Sequence, residues 1–305
     1  MFNSVGDTLM TRFLLATSAA LALAACGGVT DTAEDIDNAV DSAAAEADEF
    51  LSSDETVTRT VETAAGDEVC VSFGPQTPRD ITSARGTNVD NFQMAPAADQ
   101  LNLCNIHTHT QAEHRGPGFS VRSADGQGYQ CNGTADLTAA ELADYDGERH
   151  FEGAEPGDTI EVHWVHSSCD VAPGEGLGSC LTESCTDPLL RVETQVFLVV
   201  NDRNALQMTD LDYIPGSGDG AGFHQAPDLP SNTGTPVVFR GSTTGPSYDQ
   251  QTCSPVKVTW SVRPQCAKID VASVHAWAED NVFNETKTHG VRELVTDERL
   301  LSPIR

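Results

Sequence analysis

Apolar positions along this chain recur mostly at every second residue or in short unbroken runs, and seldom at helical spacing. Six segments read this way: 69–73, 103–108, 159–166, 194–201, 236–239 and 256–262. Each is rich in β-branched or aromatic residues and bounded by Gly, Pro, Asn or Asp, which predicts strands. Polar stretches at 113–135, 167–190 and 213–235 read as long loops. Helical patterns are confined to 137–145, after Thr134-Ala135-Asp136, and to 273–281. The expected class is therefore mainly β: a single domain on a large central, mostly antiparallel sheet, with long disulfide-linked loops and a few short helices. About 250 residues from Thr56 onward suffice for one such core.

The first residues carry a different pattern. Met10-Thr11-Arg12 precedes an apolar run from Phe13 to Ala25, too short to span a bilayer but suited to a secretory signal. The run ends Leu23-Ala24-Ala25-Cys26-Gly27, which resembles a bacterial lipobox. That resemblance implies lipidation at Cys26, with residues 1–25 as a lipoprotein signal peptide. Residues 26–55 are rich in Ala, Asp and Glu and read as an acidic flexible tether, leaving 56–305 as the folded domain. The expected location is the cell envelope, on the periplasmic face of the outer membrane, with the lipid as the membrane contact.

Export changes the meaning of the cysteines. Setting Cys26 aside, Cys70, Cys104, Cys131, Cys169, Cys180, Cys185, Cys253 and Cys266 remain. An even number in an oxidising compartment predicts four disulfides. Spacing leaves their connectivity open, although Cys180 and Cys185 are near enough to pair locally. The formal net charge of -29 argues against a nucleic-acid partner, because phosphate binding needs a basic surface. The pattern sets no oligomeric state, and a small-molecule substrate is the partner expected.

The candidate chemistry lies in two of the strands. Cys104-Asn105-Ile106-His107-Thr108-His109 places two histidines on one face, since side chains two apart on a strand point the same way. Glu161-Val162-His163-Trp164-Val165-His166 offers a third. His163 and His166 are three apart and face opposite sides, so one of them can join. His163 shares its face with Glu161, a carboxylate placed to accept its second ring N–H, and is the expected ligand. His166 is expected to be a packed structural histidine. Three neutral imidazoles with a vacant fourth position form the layout of a catalytic zinc site.

At these residues the chain resembles carbonic anhydrases. His107-Thr-His109, Glu113-His114 and Glu161-Val-His163-Trp-Val-His166 follow the order of the α class. Gly241-Ser242-Thr243-Thr244-Gly245-Pro246, followed by Val258-Thr259-Trp260, is similar to that class's Gly-Ser-x-Thr-Thr-Pro-Pro and Val-Thr-Trp segments. The phrases Cys-Asn-Ile-His-x-His and His-Trp-Val-His-x-x-Cys are closer still to the δ class. The resemblance covers roughly residues 100–265 and implies reversible hydration of carbon dioxide by a zinc-bound hydroxide in an apolar pocket. It implies His107, His109 and His163 as zinc ligands, Asn105 and Glu161 as their outer partners, and Val165 and Trp260 as pocket walls. Glu113 would orient a threonine hydroxyl. One residue is missing between Ser242 and Thr243, and Gly245 replaces a proline, so the choice of threonine stays open. Thr243 is preferred, with Thr244 for orienting bicarbonate. His150 and His224 are candidates for the proton shuttle.

Two rivals remain. His107-x-His109-x-x-x-Glu113 also resembles a cupin motif, in which Glu113 would be a direct ligand of iron or manganese. A non-catalytic metal-binding envelope lipoprotein is the other; it predicts a His-rich tract, which is absent from the sequence.

Overall fold

The protein is described by a computed structural model covering residues 59–61, 69–71, 73–220 and 222–304. The expected signal peptide, Cys26 and the tether lie outside these residues.

Every expected strand forms, several of them longer than the pattern suggested. A short hairpin pairs β1 (Arg59–Val61) with β2 (Val69–Val71). The main strands are β3 (Asn102–Thr110), β6 (Thr159–Ser167), β7 (Leu190–Val200), β8 (Val237–Ser242) and β9 (Lys257–Val262). They make a sheet in the order β3-β6-β7-β9-β8, with β10 (Ala267–Asp270) also beside β7. The small β4 (Val121–Arg122) and β5 (Tyr129–Gln130) form a separate hairpin inside the first long loop. The sheet is mixed: β3, β6 and β7 run antiparallel in turn, as do β8 and β9, while β9 and β10 are parallel to β7. β9 pairs with residues 190–194 of β7 and β10 with 197–200, so one edge of β7 is covered by two strands in succession.

The period-two pattern sorts the side chains into two buried layers. On one face Ile106, Val162, Trp164, Phe197 and Val199 pack against helix α1 (Val271–Glu279), which contributes Val274 and Trp277. Burying each such side chain contributes about 1.5–3 kcal/mol. The indole of Trp164 donates to the Leu211 carbonyl at 2.9 Å, so its burial leaves no polar group unpaired. On the other face Val165, Val192, Val196, Phe239, Trp260 and Val262 pack with Phe119 and Tyr129 from the loop after β3. The histidines sit among this second layer.

Helix α1 begins two residues before the expected 273–281 and ends where Asn281 Nδ2 donates to the Trp277 carbonyl. The helix expected at 137–145 does not form. A 3-10 turn occupies Asn132–Asp136, and the following turn is closed by Thr138 and Glu141, which hydrogen-bond each other's side chain and backbone. It goes no further because Asn201 takes the Glu141, Ala143 and Asp144 carbonyls that a helix would need.

Four disulfides form: Cys70–Cys253, Cys104–Cys180, Cys131–Cys266 and Cys169–Cys185. The local Cys180–Cys185 pair is not among them. Cys180 instead ties the loop after β6 to β3, and Cys185 closes that loop on itself through Cys169.

Candidate metal centre

His107 and His163 are directly opposite one another in the β3–β6 register, and His109 stands opposite Glu161. Upstream, the register shifts between Leu103 and Asn105, a bulge that leaves Cys104 without a partner. The bulge places Leu103 in the α1-side layer while Cys104 goes to the other, and it sets Asn105 on the histidine face, two residues before His107. The three imidazoles then crowd together. Their ring centres are 5.0 Å apart for His107–His109, 5.0 Å for His107–His163 and 4.7 Å for His109–His163.

The outer nitrogens are spoken for. His107 Nδ1 is 2.8 Å from Asn105 Oδ1, and Asn105 is itself oriented because its Nδ2 donates to the Gly174 carbonyl. His163 Nε2 is 2.9 Å from Glu161 Oε1. His109 Nδ1 faces the Gly290 carbonyl at 3.4 Å. All three acceptors demand that the outer nitrogen carry the proton, so the inner nitrogens are bare lone pairs. Two of these, His107 Nε2 and His163 Nδ1, face each other at 3.2 Å with no hydrogen to share. The third, His109 Nε2, is buried with no partner. Two facing lone pairs repel unless a cation lies between them. Ligands 2.0–2.1 Å from a tetrahedral zinc stand about 3.3 Å apart, close to the separation seen. One donor atom from each histidine falls within 4.8 Å of the others. This donor set fits zinc.

The chain matches the delta carbonic anhydrase family over residues 98–273. It belongs to that family. No curated protein matches it. Membership supports carbon dioxide hydration as the general activity, and every proposed ligand lies inside the matched span.

In this member of the family, buried carboxylates stand behind the histidines. Glu161 is fully buried and its two oxygens accept from His163 Nε2, His114 Nδ1 (2.7 Å), the Glu113 N–H (2.7 Å) and the His114 N–H (3.3 Å). Burial works to raise its pKa, but His114 and His163 overcome that and hold the carboxyl well below the usual range. Glu113, equally buried, goes the other way: burial raises it, with His163 opposing. Burial lowers the pKa of all three histidines, to about 4 for His109, which keeps them in the neutral form that a metal takes.

Glu113 approaches the outer nitrogens, at 3.5 Å from His109 Nδ1 and 3.9 Å from His163 Nε2. It therefore stands on the outer-nitrogen side of the histidines, away from the inner lone pairs, and the metal-binding group it could join is that of His114, Glu161 and His163 rather than the His107–His109 pair of the cupin motif. The expected contact with Thr243 is not formed either. Thr243 Oγ1 is committed to Ser254 Oγ at 2.5 Å. The Thr244 hydroxyl is the one that works to lower the Glu113 pKa against burial, and neither Glu113 oxygen has a hydrogen-bond partner. Both threonines lie just past the end of β8, which closes at Ser242. Gly241, at the head of this segment, allows a close approach: a Cβ there would come within 2.8 Å of the Trp260 ring and would collide with Thr77.

Trp260 and Val165 are buried on the histidine face. The Trp260 ring lies 5.0 Å from His163 and 4.9 Å from His114, and its N–H is taken by the Ser242 carbonyl, leaving an apolar surface. His166 is buried on the opposite side of β6, against the Trp164 carbonyl.

His150 and His224 are engaged elsewhere, His150 beside Glu148 and His224 on the Tyr213 hydroxyl. The fourth imidazole at the centre is His289, 6.2 Å from both His107 and His109 and beside Glu285. The sequence reading missed it, along with Gly290 and Glu285. Their segment lies along β3, where His289 exchanges backbone hydrogen bonds with Thr108 and Thr110, and Glu285 Oε1 accepts the Thr108 N–H and hydroxyl. It has no strand-like pattern of its own; an unassigned His-Gly pair in a chain with nine histidines was the available signal.

Proposed function

We propose that the chain is a zinc-dependent carbonic anhydrase, in which His107, His109 and His163 hold the metal. The observation that carries this reading is the pair of bare nitrogens, His107 Nε2 and His163 Nδ1, facing each other at 3.2 Å. Bound zinc supplies Lewis acidity that lets water ionise near neutral pH, the property for which carbonic anhydrases are the standing example.

The remaining roles belong to the chain itself. Asn105, Glu161 and the Gly290 carbonyl keep each imidazole in one tautomer and one orientation. Glu113 draws the Thr244 proton toward itself, so the Thr244 oxygen is left to accept a hydrogen bond. That oxygen favours a protonated nucleophile and turns its lone pair toward the substrate. Val165 and Trp260 offer no free hydrogen-bonding group, which suits an uncharged linear molecule such as carbon dioxide. No covalent intermediate with the protein is required.

We also propose that the chain acts in the cell envelope, with residues 1–25 as its signal peptide, Cys26 lipidated, 26–55 as a tether and 56–305 as the catalytic domain. Four disulfides support an oxidising compartment.

The test is stopped-flow hydration with metal analysis on the purified protein and on His109→Ala. One zinc per chain and hydration sensitive to sulfonamides or small anions are expected, both lost in the variant. Zinc without hydration would leave only a metal-binding protein. Hydration surviving in His109→Ala would remove that residue from the centre.

A further inference from the structure

Among the described residues, Arg292 alone buries a complete guanidinium without a hydrogen-bond partner. It is 2% exposed, and Nε, Nη1 and Nη2 are all unpaired. Its Cζ lies 5.9 Å from the centre of the Tyr248 ring, on the loop that follows Thr243 and Thr244. The anionic groups in its field are Glu113 and Asp249. Neither supplies a hydrogen bond, and Asp249 Oδ1 is already taken by the Gln251 and Thr252 N–H groups. Burial lowers the guanidinium pKa to about 10, so the group remains charged at neutral pH.

A buried cation with every donor unpaired is strongly unfavourable, and an anion brought against it would relieve that cost. The planar fork of an arginine matches two oxygens of a trigonal oxyanion. The place is also informative. Glu113, which flanks His109 and His163 and meets Thr244, is the same carboxylate that lies in the field of Arg292. Carbon dioxide needs no such group, but its hydration product is an anion, and the chain around it carries a formal net charge of -29. Bicarbonate entering or leaving so acidic a protein needs a local positive charge to hold it.

We propose that Arg292 binds bicarbonate at the Glu113–Thr244 side of the centre through two of its guanidinium N–H groups. The choice of bicarbonate rests on the carbon dioxide reading; the vacant guanidinium does not. Arg292 lies beyond the matched family span, which ends at residue 273.

The test uses the zinc-free full chain, so that it is independent of activity. Thermal stability and carbon-13 line width of bicarbonate are measured at fixed ionic strength, with gluconate as the bulky control anion, for wild type, Arg292→Met and Arg292→Lys. Bicarbonate is expected to stabilise the wild type, with affinity about 10- to 100-fold weaker in Arg292→Met, the span that one or two charge-assisted hydrogen bonds supply. Arg292→Lys, with the charge but not the fork, should fall between them. In gluconate alone Arg292→Met should be at least as stable as wild type, because an unpaired charge has been removed. A variant that unfolds or loses stability in gluconate would make Arg292 structural and overturn the proposal, as would unchanged bicarbonate affinity in both variants. In the zinc-loaded chain, Arg292→Lys should raise the KM for bicarbonate more than it changes kcat/KM for carbon dioxide; the reverse ranking also overturns it. A chain that binds bicarbonate through Arg292 yet hydrates no carbon dioxide would refute the reaction and leave this site standing.

Discussion

Glu161 Oε1 accepts the Nε2 proton of His163 at 2.9 Å from two positions away on the same strand face. The same carboxylate gathers His114 and two backbone N–H groups, so its charge is fully used inside the protein. Replacing it with glutamine keeps the shape but leaves a neutral acceptor for His163. Glu161→Gln should weaken zinc binding about 10- to 100-fold, the usual effect of removing a ligand's outer partner. Competition with a zinc chelator measures this, and unchanged affinity would deny Glu161 that role.

Thr243 and Thr244 should separate by what they affect. Thr243→Val removes a buried hydroxyl pair with Ser254 and should cost about 1–3 kcal/mol of stability while turnover is kept. Thr244→Val should leave stability nearly unchanged and lower kcat by about 10²-fold, as loss of a transition-state hydrogen bond does. Denaturation curves and stopped-flow rates on both variants decide it. The opposite assignment of losses would return the role to Thr243.

Glu113 stands behind the ligands, so Glu113→Gln should retain zinc and slow hydration. Loss of metal with this change would revive the direct-ligand arrangement. Metal analysis before any kinetics distinguishes the two.

His166 provides a pH dependence with a definite sign. Burial lowers its pKa from 6.5 to about 4, against the opposing pull of Glu193. Between those values the unfolded chain holds a proton that the folded chain does not. Stability is therefore complete above pH 6.5 and is lost as the pH falls toward 4, by on the order of 3 kcal/mol from this residue. In zinc-free protein, His166→Gln should lose less stability over that interval than the wild type. Parallel curves for the two proteins, followed by chemical denaturation from pH 7 to 4, would show that His166 is not the source.

Cys104 is the bulged residue of β3, and its bond to Cys180 holds the loop that contains Gly174, the acceptor for Asn105. Changing both cysteines to serine should cost about 2–4 kcal/mol of stability. It should also weaken zinc binding through a looser Asn105–His107 bond. Intact zinc affinity in a destabilised double variant would separate the disulfide from the centre.

The sequence by itself determined the parts of this protein that repeat at short range. Alternation in 159–166 was enough to put Glu161, His163 and Val165 on one face and His166 on the other, because the side-chain period of a strand is two. The number of disulfides followed from the eight cysteines that remain once Cys26 is set aside. The tertiary structure decided what depends on chain segments meeting. The Cys180 partner is 76 residues away, at a bulge that no local pattern marks. Thr243 turns to Ser254, and Thr244 is the threonine that bears on Glu113, a choice the motif left open. His289 and Gly290 reach the centre from a segment without periodicity, carried by the backbone hydrogen bonds of His289 to β3, and two residues on Arg292 is buried with its guanidinium over the Tyr248 ring. Local sterics are written into neighbouring residues, whereas a lone pair, a carbonyl or an unpaired charge acquires its meaning from the groups that packing brings against it.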